Sequence, residues 1–243
     1  MTFLNRRDLF YSLGAASVVL TTPAAFAQTS WRKCSFKELA KIAESRVAEG
    51  RAVGICLGAS APGFRKMDFF GTEDIQSAKL ISSKTQFRIA SVTKPVTAAC
   101  ILDLCERDAL SLDARLEAFF PDFPAAQEIT VYDLLAHTSG LANWWGRLPE
   151  GAPQDFMDRP KPHLTLAQMR EPFLFAPGSM RSYSNSGYVL LGEIIEQVTG
   201  AAFDDWLRDE LLSRCGASGI TLERTGETSP NWAEGYLPGP DRA

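Results

Sequence analysis

The sequence predicts an α+β arrangement or, within the same class, a sheet with a helical insertion. Three observations support this prediction: a helical pattern comes first, a short alternating apolar pattern follows it, and patterns of helical spacing fill most of the remainder. The chain has 243 residues, of which 45% are hydrophobic, and it contains no internal repeat. This length and composition are typical of a globular protein with one or two domains.

The first predicted elements are a helix and a β-hairpin. Ser35–Glu38 (SFKE) is a capping-box pattern that begins a helix, and Gly50 ends that helix. Val53–Leu57 alternates apolar residues with small ones, which is typical of a strand. Met67–Gly71 is expected to be the hairpin partner of this strand.

The rest of the chain is predicted to be mainly helical. A short extended run, Phe87–Ile89, leads into a helical pattern from Val92 to Arg107. Residues 142–180 are rich in Pro, Gly and aromatic residues and are expected to form long surface loops, with His163 exposed. Further helices are expected after the Thr130–Asp133 cap, around Leu164–Arg170, over Gly187–Val198 and from about Phe203 to Leu212.

Charge and composition exclude several classes of partner. The chain has 25 Lys and Arg residues against 29 Asp and Glu residues, a net charge of −4, and no basic stretch interleaved with aromatic residues. Nucleic acid is therefore not expected as a partner. Because there are only two histidines, five scattered cysteines and no CxxC motif, the sequence predicts no metal site and no cofactor.

The cysteines are interpreted mainly as small core residues rather than as a disulfide framework. Their odd number leaves at least one thiol unpaired, and two of them lie five positions apart on one predicted helix, where their side chains point in different directions. The five are Cys34, Cys56, Cys100, Cys105 and Cys215.

Residues 1–27 have the pattern of an export signal. Arg6 and Arg7 form its charged start, an uncharged and mostly apolar stretch covers residues 9–20, and Ala25–Ala27 (AFA) is a cleavage pattern. The run NRRDLF resembles a twin-arginine signal, so we expect a periplasmic or secreted protein without stable membrane insertion after cleavage. The alternative is an uncleaved anchor, since the uncharged stretch continues past the cleavage pattern.

Ser91–Lys94 (SVTK) is the first pattern that suggests chemistry. An extended run followed directly by a helix would place Ser91 at the helix N-terminus, where backbone N–H groups favour negative charge. Lys94 would share a helix face with Ser91, so its ammonium group could reach the hydroxyl oxygen. A serine hydroxyl needs such a cation or an adjacent base to act as a nucleophile. The alternative is a Ser91 N-cap with an exposed Lys94.

Tyr183 and Asn185 lie in a Ser- and Gly-rich turn just before the helix predicted over residues 187–198. A phenol near a lysine can act as a general base, and an Asn amide can hold a substrate amide through both a donor and an acceptor. The alternatives are a buried Tyr183 ring with a satisfied hydroxyl and an Asn185 N-cap.

Three ordered motifs resemble those of the class C β-lactamase-like serine hydrolases, a group similar to the D-alanyl-D-alanine carboxypeptidases and the β-lactamase-fold esterases. They are Ser91–Lys94 (SVTK), Leu134–Leu141 (LLAHTSGL), and Pro177–Gly178 followed by Tyr183–Tyr188 (YSNSGY). The resemblance covers nearly the whole chain after the signal, from about Ser35 to Tyr236. It implies a β-lactamase/penicillin-binding-protein-like fold, in which helices flank an antiparallel sheet and a mostly helical domain is inserted.

The resemblance also implies a role for the residues of these motifs. Ser91 would be the nucleophile that becomes acylated, and Lys94 would be its activating partner. Tyr183 would be the base that also protonates the leaving group, and Asn185 would orient the substrate. The loop that contains His137 looks structural in this family, so no catalytic role is expected for that histidine.

One element that the resemblance implies is absent from the sequence. The family carries a Lys-Thr-Gly or His-Thr-Gly triplet on a strand far beyond the tyrosine motif, and the superficially similar Arg224–Gly226 is interpreted as a loop. We therefore expect a C-terminally truncated chain with an incomplete sheet. Residues 28–90 would form the first part of the α/β domain, and residues 91–243 a mostly helical domain without the last strands. The oxyanion hole would keep the Ser91 N–H group and lack its partner.

The expected activity is that of a serine hydrolase that transfers an acyl group from an ester or an amide to Ser91. β-Lactams, D-Ala peptides and small esters remain open as substrates, and Trp144 with Trp145 favours a bulky apolar acyl or alcohol group. The competing hypothesis is a non-catalytic penicillin- or peptidoglycan-binding relative, or an inactive fragment. The sequence makes no prediction of the oligomeric state.

Overall fold

The chain divides into two units of structure. The computed structural model describes residues 35–76, 78–152, 161–217, 219–223 and 229–236. The first unit contains the described residues up to Ile89 and those after Thr228, and the second unit runs from Ala90 to Glu227. The predicted signal at 1–27 and the Arg224–Gly226 triplet lie outside the described residues.

The first unit contains a helix and a two-stranded antiparallel sheet. Helix α1 (Phe36–Ala48) begins at Ser35, whose side chain accepts the Glu38 N–H group while the Glu38 carboxylate accepts the Ser35 N–H group, so the predicted capping box is confirmed. Strands β1 (Gly54–Ala61) and β2 (Phe64–Gly71) pair along their whole length. The predicted strand and its hairpin partner are therefore confirmed.

A buried carboxylate organises the segment that follows β2. Glu73 is buried, and it forms an ion pair with Lys79 at 2.8 Å and accepts a hydrogen bond from the Thr85 hydroxyl at 2.8 Å. The hydrogen bonds from Lys79 and Thr85, together with the positive charge of Lys79, lower the pKa of the Glu73 carboxyl. Further along the segment, Gln86 forms an isolated parallel bridge with Trp232, which ties the end of the described chain to this unit.

The second unit is built from helices. Each helix predicted for this part of the chain is confirmed, with ends that differ by a few residues. The elements are a 3-10 turn at Ala90–Val92, α2 (Thr93–Glu106), a 3-10 turn at Leu116–Ala118, α3 (Val131–Ala136), α4 (Pro162–Ala167), α5 (Asn185–Thr199), α6 (Phe203–Trp206), a π-helical stretch at Leu207–Leu212 and α7 (Ser213–Cys215). In the described part of the chain, no helix is both long and apolar enough to span a bilayer.

Helices α2 and α5 form the centre of the core of the second unit. Ile101 on α2 and Leu191 and Ile194 on α5 are completely buried, because apolar residues recur at helical spacing on the facing sides. Gly200, at a φ of +70°, ends α5 as predicted. Helices together with an antiparallel hairpin confirm the predicted α+β class.

The cysteines among the described residues are four free thiols. Cys100 is completely buried, and burial raises the pKa of its thiol to about 12. Cys56 and Cys105 are half-buried, and Cys215 is exposed. The interpretation as core residues is therefore correct for Cys100 and wrong for Cys215, while Cys34 lies outside the described residues.

Candidate active site

Ser91 lies in a strained turn at the start of α2. Ala90, directly before it, has a φ of +45°, which residues with a side chain rarely adopt, and the chain then makes a 3-10 turn into the helix. The N-cap of α2 is Val92, and no side chain caps it. The alternative in which Ser91 serves as an N-cap is therefore wrong.

The Ser91 hydroxyl contacts two side chains of the predicted site. Its Oγ lies 2.7 Å from the Tyr183 Oη, and the Lys94 Nζ donates a hydrogen bond to the same Oγ at 3.3 Å. Lys94 reaches this oxygen because it lies three residues further along the same helical face. Ser91 thus stands between a phenol and an ammonium group.

Tyr183 is a partly exposed residue, with 48% of its surface accessible to solvent. The Lys94 ammonium and the Ser91 hydroxyl lower the pKa of its phenol, because both stabilise the phenolate. The Lys94 Nζ also lies 4.8 Å from the centre of the Tyr183 ring. The alternative of a buried Tyr183 ring is wrong.

Asn185 is the first residue of α5 and contacts Lys94 directly. Its Oδ1 accepts a hydrogen bond from the Lys94 Nζ at 2.6 Å, and its Nδ2 donates to the Asn143 Oδ1 at 3.1 Å. The N-cap of α5 is Ser184, whose side chain accepts the Gly187 N–H group, so the N-cap alternative for Asn185 is wrong. The amide of Asn185 therefore has one orientation, with its oxygen toward Lys94 and its nitrogen toward Asn143.

Asn143 belongs to this site, and no pattern in the sequence predicts it. Its Oδ1 also accepts the Asn185 backbone N–H group at 2.7 Å, and its Nδ2 donates to the Tyr183 carbonyl oxygen at 3.4 Å. Asn143 lies in a loop 42 positions before Asn185, and no spacing pattern connects the two. Its one signal in the sequence is that it closely follows the motif ending at Leu141.

A cleft of about 760 Å³ opens beside Lys94 and Asn185. This volume is in the range of small-molecule sites. Of the predicted aromatic pair, Trp144 lines the cleft. Trp145 packs against Trp144 with the two ring centres 4.6 Å apart, and it is 63% exposed. Within the described ranges, no group of three His, Cys, Asp or Glu side chains could hold a metal ion. The lining also includes aromatic and aliphatic side chains (Tyr188, Val189, Phe203, Leu222), carboxylates (Glu193, Glu196, Asp204, Glu223) and the hydroxyls of Thr93 and Thr97.

His163 is not the exposed residue that the sequence predicts. Its ring stacks on Phe120 at 4.4 Å, and its Nδ1 lies 2.6 Å from Glu193 Oε2, while Glu193 Oε1 accepts the His163 backbone N–H group. Burial raises the pKa of the Glu193 carboxyl. The prediction failed because the partner lies 30 positions away, on α5.

The sequence model of the Beta-lactamase family matches residues 39–243. That range contains all four of the predicted site residues and most of both structural units. The predicted resemblance to class C β-lactamase-like serine hydrolases is therefore confirmed at the level of the family.

Curated relatives carry several names. The chain is 28% identical over 178 residues to penicillin-binding protein 4* of Bacillus subtilis, which covers 69% of this chain and 38% of the relative. It is 34% identical over 173 residues to esterase EstB of Burkholderia gladioli, and this match covers 63% of this chain and 44% of the relative. It is 31% identical over 150 residues to a D-aminopeptidase of Brucella canis, and this match covers 59% of this chain and 28% of the relative. The chain thus spans less than half the length of these relatives.

Solved structures share the fold. The octameric penicillin-binding protein homologue from Pyrococcus abyssi matches with a TM-score of 0.71 at 26% identity, over 86% of this chain and 50% of that one. The D-amino acid amidase from Ochrobactrum anthropi matches with a TM-score of 0.68 at 28% identity, over 83% of this chain and 55% of the amidase. A class C β-lactamase shares the fold, with a TM-score of 0.69 at 21% identity. This match covers 84% of this chain and 55% of the β-lactamase. Since the family match covers most of the chain and these structures share its architecture, the chain belongs to the β-lactamase family.

Proposed function

We propose that this chain carries the acylation site of a serine hydrolase, with Ser91 as the nucleophile, Lys94 as its activating partner and Tyr183 as the general base. The observation that carries the proposal is the 2.7 Å separation between the Ser91 Oγ and the Tyr183 Oη, with the Lys94 Nζ at 3.3 Å from the same Oγ. A general base has to lie within about 2.6–3.2 Å of the atom that gives up its proton. Tyr183 meets this condition without any movement.

In the acylation step, the Ser91 Oγ forms a bond to the substrate carbonyl carbon, and its proton passes to the Tyr183 phenolate. The tetrahedral intermediate then collapses, the bond to the leaving group breaks, and the Tyr183 hydroxyl returns the proton to the departing alcohol or amine. The lowered pKa of Tyr183 supports this role, because the Lys94 ammonium favours the phenolate that the step needs. Water then attacks the acyl-Ser91 carbonyl with Tyr183 again as the base. The bond between the acyl carbon and the Ser91 Oγ breaks, the Tyr183 hydroxyl returns the proton to that Oγ, and the acid is released.

Asn185 is assigned to substrate binding in this proposal. Its amide is held by Lys94 on the oxygen side and by Asn143 on the nitrogen side, so its orientation is set before a substrate arrives. Such preorganisation reduces the entropy that is lost when the substrate is bound.

The proposed substrate is an ester or an amide with a bulky apolar group. The apolar group is proposed from the cleft that Lys94 and Asn185 line, where Trp144, Val189 and Phe203 form the apolar part of the wall; Ser91 and Tyr183 lie outside this lining. Among the similar proteins, one is named an esterase and another a D-amino acid amidase, so both bond types occur in their names.

Covalent labelling tests the proposal. A fluorophosphonate probe and a labelled penicillin are added separately to the folded chain, and the modified peptide is identified by mass spectrometry. We expect an adduct on Ser91, none in Ser91→Ala, and unchanged labelling in Ser179→Ala, which removes an exposed serine of the same unit. A folded chain with no adduct on Ser91 from either reagent would contradict the proposal and favour the non-catalytic hypothesis.

A further inference from the structure

His137 contacts the turn that carries Tyr183 on both sides of the tyrosine. It is the C-cap of α3 and has a left-handed backbone, with a φ of +62°. Its carbonyl oxygen accepts the Ser182 N–H group at 3.0 Å, and its Nδ1 accepts the buried Ser184 N–H group at 3.2 Å. The two neighbours of Tyr183 in the chain are thus bound to the backbone and to the side chain of one residue.

The His137 ring also packs against the tyrosine itself. The centres of the His137 and Tyr183 rings lie 4.7 Å apart, and Tyr188 packs on the same imidazole at 5.1 Å. Tyr188 is anchored in turn, because its hydroxyl donates to the Leu135 carbonyl oxygen at 3.2 Å. The imidazole therefore contacts two aromatic rings and is itself buried.

We propose that His137 is a positioning residue for Tyr183: its Nδ1 acceptor holds the turn so that the phenol stays at the Ser91 hydroxyl. The effect of this positioning on catalysis rests on the function proposed above. The positioning itself is a matter of where the Tyr183 phenol lies, and the pKa of that phenol measures it without any turnover.

The role requires a neutral imidazole. A nitrogen that accepts a hydrogen bond carries no proton, so the proton of His137 is on Nε2, and a protonated ring could only donate to its surroundings. The titratable groups around the ring are Tyr183 and Tyr188, whose rings pack against it, and Lys94 and Arg181, whose positive charges act on it. Burial lowers the pKa of His137, and the positive charges of Arg181 and Lys94 lower it further.

This arrangement has a consequence for pH. Since the pKa of His137 in the folded chain is below its ordinary value of about 6.5, the Ser184 contact is present at neutral pH and is lost as the pH falls through that lowered pKa. Protonation of Tyr183 already slows acylation as the pH falls, so His137 should add a second, steeper loss at the lower pH where its own imidazole becomes protonated.

Three substitutions distinguish the effect of the Nδ1 acceptor from the effect of the left-handed backbone conformation. His137→Asn supplies an oxygen close to the position of Nδ1 and tolerates the left-handed backbone. His137→Gly tolerates the same backbone and has no acceptor, and His137→Leu has neither property. We expect His137→Asn to keep most of the acylation rate with a smaller second loss at the lower pH, and the other two to lose about 100-fold, the order typical of a misplaced catalytic group.

The pKa of Tyr183 is the readout that does not depend on activity. Tyrosine labelled with ¹³C at Cζ is titrated by NMR, with Tyr183→Phe to assign the signal. We expect the Tyr183 pKa to stay low in His137→Asn and to rise toward the ordinary value of about 10 in His137→Gly and His137→Leu, because the phenol leaves Lys94 and Ser91. If His137→Leu does not fold, His137→Gly gives the same comparison.

Two results would overturn the proposal. One is an unchanged Tyr183 pKa in both His137→Gly and His137→Leu. The other is a Tyr183 pKa that stays low in His137→Gly and rises only in His137→Leu, which would show that the backbone conformation alone is needed. If the wild-type chain fails to acylate at Ser91 while the Tyr183 pKa follows His137 as described, the proposed function is wrong and the positioning role stands.

Discussion

The Ser91 hydroxyl lies 2.7 Å from the Tyr183 phenol, although 92 positions separate the two residues in the chain. Ser91 is placed by the strained turn before α2, and Tyr183 by the turn before α5. The two turns meet because α2 and α5 pack through completely buried side chains. The chemistry proposed for Ser91 therefore depends on the packing of two helices, and it can be tested one residue at a time.

The first prediction concerns the Tyr183 hydroxyl. Tyr183→Phe should slow acylation by about 10²–10⁴-fold, since that is the usual contribution of a general base. Thermal unfolding should be almost unchanged, because the ring is half exposed and its hydroxyl contacts Ser91 at the surface. Single-turnover kinetics with a chromogenic ester give the rate. Full turnover in the variant would remove Tyr183 from the mechanism.

The second prediction concerns pH. Because the base acts as a phenolate, the acylation rate should rise with pH through the pKa of Tyr183, which Lys94 and Ser91 place below the ordinary value of about 10. In Lys94→Gln the positive charge is lost, so the same transition should move to higher pH. The pH dependence of kcat/KM measures both values. An identical transition in the two proteins would show that Lys94 does not set the ionisation of Tyr183.

The third prediction concerns Asn143. Asn143→Leu leaves two Asn185 N–H groups without their acceptor, which costs about 1–3 kcal/mol of folding free energy. A loss of the same size from the acylation transition state corresponds to a rate about 5- to 150-fold lower. Asn143→Asp keeps an acceptor oxygen at the same place and should lose less. Both rates are compared under the same conditions, after circular dichroism has shown that each variant is folded. Equal losses in the two variants would contradict the role of the oxygen.

The fourth prediction concerns the loop that follows His137. Gly140 has a φ of +74°, and a Cβ added there would collide with the Phe175 carbonyl oxygen. Gly146 has a similar φ of +70° with open space around it, so Gly146→Ala is a matched control that costs about 1–2 kcal/mol through the backbone alone. Gly140→Ala should lower the free energy of unfolding by more than this control. Urea unfolding measures the difference, and equal effects would mean that the close approach to Phe175 is unimportant.

The fifth prediction concerns export, which we propose from the pattern at residues 1–27. Replacing both Arg6 and Arg7 by Lys should block transport, since the arginine pair is the part of the signal that its receptor reads. Cell fractionation with an antibody measures the periplasmic amount. Unchanged accumulation in the periplasm would exclude the twin-arginine route.

Local patterns were predicted well because their causes are local. The capping box at Ser35 and Glu38 is satisfied within one helical turn, and Gly200 ends α5 because only its own backbone angle matters. Long-range contacts were missed. The link between Asn143 and Asn185 and the pair formed by His163 and Glu193 join side chains that no short spacing relates.

The sequence by itself determined the α+β class, the order of the helices and strands, and which four side chains are candidates for chemistry. These follow from periodicity, from caps and from motifs a few residues long, and they need no knowledge of what packs against what. The tertiary structure alone decided that Ser91 binds Tyr183 instead of capping its helix, that Asn185 is turned toward Lys94, and that His137 contacts both neighbours of Tyr183. The reason is physical: a side chain with several available hydrogen-bond partners takes those that the packed helices bring within reach, and that packing is a property of the whole core.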